Sequence, residues 1–113
     1  MCDVVSSHFF AESATDVPSK MVDYLRRTAA LCRPGGLLVL SFMRRSAGYS
    51  VAGHDFPATS IDEHDLGGYL AQAGVELDDF AWSTVGVEDP PTRPGYDGML
   101  FCRGRIRIGV AVR

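Results

Sequence analysis

Apolar positions along the chain fall into short blocks whose spacing changes from block to block. Residues 2–6 (CDVVS) are a brief β-branched run followed by small residues, which predicts a buried strand. Residues 7–15 read as a loop. From about 17 to 31, Met21, Leu25, Thr28 and Cys32 recur at three- and four-residue steps, while Lys20, Asp23, Arg26 and Arg27 fall elsewhere; this is an amphipathic helix. Asp16 is placed to cap it and Pro18 is tolerated in its first turn. Arg33-Pro34-Gly35-Gly36 ends it, with a cation near the helix carboxyl end and a proline that cannot continue it. Residues 37–42 are then continuously apolar, the pattern of a strand in a parallel sheet covered on both faces.

Residues 43–60 show no clean period and contain Gly48, Gly53 and Pro57; a loop this long inside a compact domain is usually functional. Ser60 opens a second helix through about residue 73, with Glu63 three positions on as in a capping box. Asp62, Glu63 and Asp65 complement its positive end, and Leu66, Leu70 and Ala73 supply its inward face. Gly67-Gly68 weakens it by about 1 kcal/mol per glycine relative to alanine. Residues 75–85 read as a strand, 88–97 as a Pro- and Gly-rich loop, and 98–105 as a final strand. Residues 106–113 alternate only weakly and read as a tail outside the domain. The order is β-α-β-α-β-β, an α/β fold. Its first two crossovers are long enough for right-handed parallel units, and its last two strands, joined without a helix, are antiparallel.

Composition narrows the class. At 113 residues, 46% hydrophobic and 22% charged, the chain holds one domain with one core (residues 1–105) and is not of disordered composition. A net charge of -3 predicts no general attraction to nucleic acid or an anionic membrane. The longest apolar run is far too short to cross a bilayer, and the amino terminus lacks the charge pattern of a signal peptide. Cys2, Cys32 and Cys102 show no CxxC spacing and an odd count, so reduced thiols in a cytoplasmic protein are expected.

Several residues together carry a family pattern. An aspartate-containing strand (residues 2–6) precedes Glu12; a helix, Leu31-Cys32-Arg33-Pro34-Gly35-Gly36 and an apolar strand follow. The segment Ser46-Ala47-Gly48-Tyr49-Ser50-Val51-Ala52-Gly53-His54-Asp55-Phe56 resembles the Ser-x-x-Tyr-x-x-Gly-x-x-x-Phe loop of the nicotinamide, phenylethanolamine and thioether/indolethylamine methyltransferases. The chain thus resembles the carboxyl-terminal half of a Rossmann-like S-adenosylmethionine-dependent methyltransferase. The resemblance implies a partial Rossmann-like sheet, S-adenosylmethionine as cofactor, and methyl transfer to a small amine or aromatic nitrogen. It places Ser7, His8 and Phe9 beside the cofactor, and Phe9, Phe42, Ser46 and Tyr49 against the substrate. Phe42 stands where nicotinamide-methylating members carry an aspartate, and Arg93 to Asp97 would rim the same pocket. The pattern departs from the family in one respect. There is no GxGxxG and no GxG, and close backbone approach to the cofactor needs glycine for want of a Cβ. The expectation is a truncated methyltransferase that binds cofactor poorly alone. Its expected partners are a small-molecule substrate and either a second copy or a complementary amino-terminal half; the alternative is a non-catalytic α/β dimerisation or interaction domain.

Other polar clusters have plainer readings. His54-Asp55 suggests a catalytic dyad, yet sequence neighbours rarely face each other usefully and no nucleophile stands beside them. Asp62-Glu63-His64-Asp65 suggests a metal site, but a helix start favours acids for its dipole alone, and His64 has no second histidine four residues on. Arg44-Arg45 reads as surface charge.

Overall fold

The computed structural model describes residues 1–46, 48–86 and 98–108, with the side chains of residues 49–51 outside the described set. Its elements in chain order are β1 (Cys2–His8), α1 (Pro18–Ala30), β2 (Cys32–Arg44), β3 (Tyr49–Val51), β4 (His54–Phe56), α2 (Glu63–Gln72), β5 (Leu77–Gly86) and β6 (Gly98–Ile106). Four strands form one sheet in the order β1-β2-β6-β5. β1 runs parallel to β2, while β6 is antiparallel to both β2 and β5. β5 therefore runs parallel to β2, with β6 inserted between them. The α/β class, the order of the helices and main-sheet strands, and the antiparallel final pair are as the sequence predicts.

Both helices pack on one face of this sheet. The core joins Met21, Val22, Leu25 and Ala29 of α1 and Leu66 and Leu70 of α2 to Cys32, Leu38, Leu40 and Phe42 of β2 and Leu100, Cys102 and Ile106 of β6. Side chains alternate across a sheet, so the intervening residues Leu37, Val39 and Met43 of β2 and Met99 and Phe101 of β6 point to the other face. These are only half-buried, and among the described residues no helix covers them. Two expectations change as a result. Among the described residues the strand at residues 37–42 is covered by helices on one face only, and β1 is not buried: it is an edge strand there, with Val4 59% exposed. The tail also begins later than expected, because Ile106 ends β6 and is buried.

Local chemistry explains the shifted boundaries. The N-cap of α1 is Val17 rather than Asp16, in extended backbone with no side-chain cap, and its N–H donates to Thr15 Oγ1 at 3.0 Å. The N-cap of α2 is Asp62 rather than Ser60. Asp62 Oδ1 accepts from the His64 and Asp65 N–H groups, and Asp65 Oδ2 accepts from the Asp62 N–H, a reciprocal capping box. The stretch read as loop contains a two-stranded hairpin, β3 with β4. Ala52 and Gly53 both take positive φ (51° and 80°), the turn geometry that matches strand twist. That turn usually carries Asn-Gly or Asp-Gly, so Ala-Gly gave little signal. In β5, Asp79 at φ 54° marks a bulge between Asp78 and Ala81. The loop predicted over 88–97 lies outside the described residues.

Candidate functional site

Loops at the carboxyl ends of parallel strands are where α/β sheets bind ligands, and in this sheet β1 and β2 end side by side. Their register sets His8 beside Ser41, and the two side chains meet, His8 Nδ1 to Ser41 Oγ at 2.7 Å. Ser41 is buried and His8 exposed. The next residue, Phe9, extends the pairing by donating its N–H to the Ser41 carbonyl at 2.8 Å. It does so at φ 57°, a left-handed conformation that costs a non-glycine residue about 1–2 kcal/mol. Here the chain turns off the sheet, and Phe9 and Phe10 are left 36% and 53% exposed. Phe10 leans on the Tyr24 ring of α1, with ring centroids 5.5 Å apart.

Beneath this exposed rim is a buried polar plug. Glu12 is fully buried, and its Oε2 accepts from the Met43 N–H at 2.6 Å, tying the loop after β1 to the end of β2. The Glu12 carbonyl accepts from the Thr59 N–H at 2.7 Å, and the Thr59 hydroxyl donates to the Thr15 carbonyl at 2.6 Å. Among the described residues Glu12 Oε1 has no hydrogen-bond partner. Burial lifts this carboxyl group to about 7, against the pull of the Met43 N–H. At the same end Arg44 donates two hydrogen bonds to Glu63, both 2.7 Å, which join β2 to the start of α2 and hold the Glu63 carboxyl down at about 2.

The residues expected at a ligand site divide into two layers. Ser7, His8 and Phe9 stand together at the rim, Ser7 half-buried and the other two exposed. Phe42 and Ser46 do not reach it: Phe42 is 1% exposed within the core, and Ser46 is 1% exposed with its Oγ accepting the Gly48 N–H at 3.4 Å. Tyr49 lies in β3, its side chain outside the described set, and Arg93 and Asp97 lie outside the described residues. Ser41 and the burial of Glu12 escaped sequence reasoning. Ser41 reads as one small residue in an apolar strand, and only the strand register shows that it faces His8. The acidic cluster at residues 62–65 caps its own helix and binds Arg44, and no group of three metal-ligating side chains occurs among the described residues. His54 is exposed on β4. No helix among the described residues is long and apolar enough to cross a membrane.

A shallow groove of about 340 Å³ lies between α2 and β5, lined by Leu70, Val75, Leu77 and Phe80 among others. It belongs to the opposite end of the sheet, since Leu77 pairs with Ile106 and Arg105 pairs with Leu37 at the start of the apolar run of β2.

No family model matches the chain, and no curated protein matches it by sequence. Among solved structures it is similar to a SAM-dependent methyltransferase from Methanosarcina mazei, with a TM-score of 0.63 at 15% identity over 93% of this chain. The fold is methyltransferase-like. The chain spans 59% of the length of that structure. Gly35-Gly36 lies within the first part of β2, Gly48 and Gly53 belong to the hairpin region, and Gly67-Gly68 lies within α2. None follows the carboxyl end of a parallel strand and opens a helix, the position from which a glycine turn approaches a nucleotide cofactor.

Proposed function

We propose that this chain is the acceptor-side portion of a small-molecule methyltransferase that uses S-adenosylmethionine, transferring methyl to an amine or aromatic nitrogen. The observation that supports the reading is the fold, a sheet of order β1-β2-β6-β5 with an antiparallel strand inserted beside the parallel pair, which is similar to the Methanosarcina structure at a TM-score of 0.63. When bound, the cofactor supplies an already electrophilic sulfonium, so the protein needs no dedicated nucleophile and contributes chiefly position. Ser7 and His8 form the cofactor side of the rim, and Phe9 is a flat apolar wall for the acceptor, assisted by Tyr49. The glycine-rich turn that would grip the methionine end of the cofactor is supplied by a further segment, so the chain alone binds weakly.

The test is an NMR titration of the labelled chain with millimolar S-adenosylhomocysteine, since a weak site still moves the signals of its own amides. Movement confined to Ser7, His8, Phe9 and Met43 is the expected result. No movement there, or movement only around the groove between α2 and β5, overturns it. Tight, micromolar binding would refute the need for a further segment.

Among the described residues the outer edge of β1 is unpaired and one sheet face carries no helix, which favours a second, compatible role in assembly. Parallel strands are ordinarily covered on both faces, and an unpaired edge is a template for another strand. The complementary segment, or a second copy of the chain, would add to β1 and cover Leu37, Val39 and Phe101. Sedimentation of the purified chain separates these: a stable monomer at high micromolar concentration rules out the second copy.

A further inference from the structure

The His8–Ser41 contact has a chemical consequence beyond packing. Ser41 is 3% exposed, and among the described residues its hydroxyl oxygen has one hydrogen-bond partner, His8 Nδ1 at 2.7 Å. A hydroxyl carries one proton to donate and two lone pairs. Leaving a buried donor unsatisfied costs about 1–3 kcal/mol, whereas a spare lone pair is cheaply tolerated. With the imidazole neutral, the proton therefore goes from Ser41 Oγ toward Nδ1, and Nδ1 must be the acceptor. The ring N–H is then on Nε2, and the tautomer is set by the bond the other nitrogen makes. Because His8 is exposed at the carboxyl end of the parallel pair, that N–H is available to a ligand.

We propose that Ser41 is a positioning residue that holds His8 as its Nε2–H tautomer, so that the rim presents a fixed hydrogen-bond donor to an oxygen acceptor of the bound cofactor. This rests on the cofactor reading above and deepens it. Two features make the donor rigid. The Phe9 N–H to Ser41 carbonyl bond locks the backbone on either side of the contact, and Ser41 sits within β2, paired on its far side with Phe101 of β6.

Long-range proton–nitrogen NMR on the full chain, at a pH where imidazole is neutral, reads the two ring nitrogens separately, with His8→Gln identifying the signals. In the wild type, Nδ1 is expected in the acceptor range and Nε2 in the N–H range, without averaging. Ser41→Ala should move the two nitrogen signals toward each other, and Ser41→Thr, which restores a hydroxyl, should return them. An averaged ring in the wild type, or the proton on Nδ1, overturns the proposal. Millimolar S-adenosylhomocysteine is then added. A shift of the His8 Nε2–H signal that is lost in Ser41→Ala supports the donor role; binding that moves Ser7 and Phe9 but leaves Nε2–H unchanged overturns it. If no amide responds to S-adenosylhomocysteine while the tautomer is fixed and hydroxyl-dependent, the positioning role stands and the cofactor reading is the one that fails.

Discussion

Glu12 makes the stability of this fold depend on pH in a direction opposite to that of most carboxylates. Its carboxyl group is fully buried and titrates at about 7 in the folded chain, against an ordinary 4.5. Folding therefore takes up a proton between those values, and the contribution is fully present below 4.5 and lost as pH rises through 7. At about 1.4 kcal/mol per unit, the full difference is about 3 kcal/mol, of which roughly 2–3 kcal/mol falls between pH 5 and pH 8. Glu12→Gln removes the titration while keeping an oxygen for the Met43 N–H. Its amide NH₂ replaces the O–H of the protonated acid and adds one further buried N–H, at a cost of about 1–3 kcal/mol. The variant should be less stable than wild type at pH 5 and equal or superior at pH 8. In urea the wild-type midpoint should fall by about 1–2 M over that range, given a slope of about 1–3 kcal/mol/M, while the variant loses this component. If the midpoints of the two proteins run parallel from pH 5 to pH 8, Glu12 is not charged at the cost assigned to it.

Other measurements probe the remaining features. Leu38→Ala on the helix-covered face should cost about 2–5 kcal/mol, whereas Val39→Ala, one residue along on the uncovered face, should cost under about 1 kcal/mol; equal losses by chemical denaturation would mean that both faces are covered. Asp62→Ala should cost about 0.5–2 kcal/mol through loss of the cap, and Ser60→Ala should stay within about 0.5 kcal/mol. Glu63→Gln should lower the thermal midpoint above the usual carboxylate range, and the difference from wild type should vanish as pH falls toward about 2, where wild-type Glu63 itself takes up a proton. Gly36→Ala should destabilise strongly, because a Cβ there would lie 2.8 Å from the Asp3 carbonyl oxygen on the adjacent strand.

What could be read in advance follows the range of the interaction that decides it. The faces of α1 and α2 were legible because Met21, Leu25, Leu66 and Leu70 repeat with the helical period, and burial of one face is enough to fix a helix. The helix starts were misplaced by one or two residues, since Asp, Ser and Thr at adjacent positions compete for one cap and backbone conformation chooses among them. Ser7, His8 and Phe9 were named through the family resemblance, and the structure sets them together at the end of β1. Phe42 and Ser46 were placed at the same site by the family resemblance, but both are buried, Phe42 because strand alternation sends it into the core. Ser41 and Glu12 were out of reach for a different reason. Each acquires its role from a partner more than 30 residues away, His8 for one and Met43 for the other.

The uncovered face bears on function as well as on stability. Among the described residues β1 has no strand on its outer edge, so the rim that carries His8 and Phe9 is built there from one side. A ligand of cofactor size is ordinarily enclosed over most of its surface, so on the proposed reading the facing wall and the cover over Val39 and Phe101 would belong to one further layer. Docking that layer would bury Val4 and complete the crevice in one step, which couples assembly to ligand binding. By linkage, anything that binds only the assembled state strengthens assembly by the same factor. S-adenosylhomocysteine should therefore raise the affinity of this chain for its covering segment, and a covering segment whose affinity is indifferent to the ligand would show that the two sites are not the same.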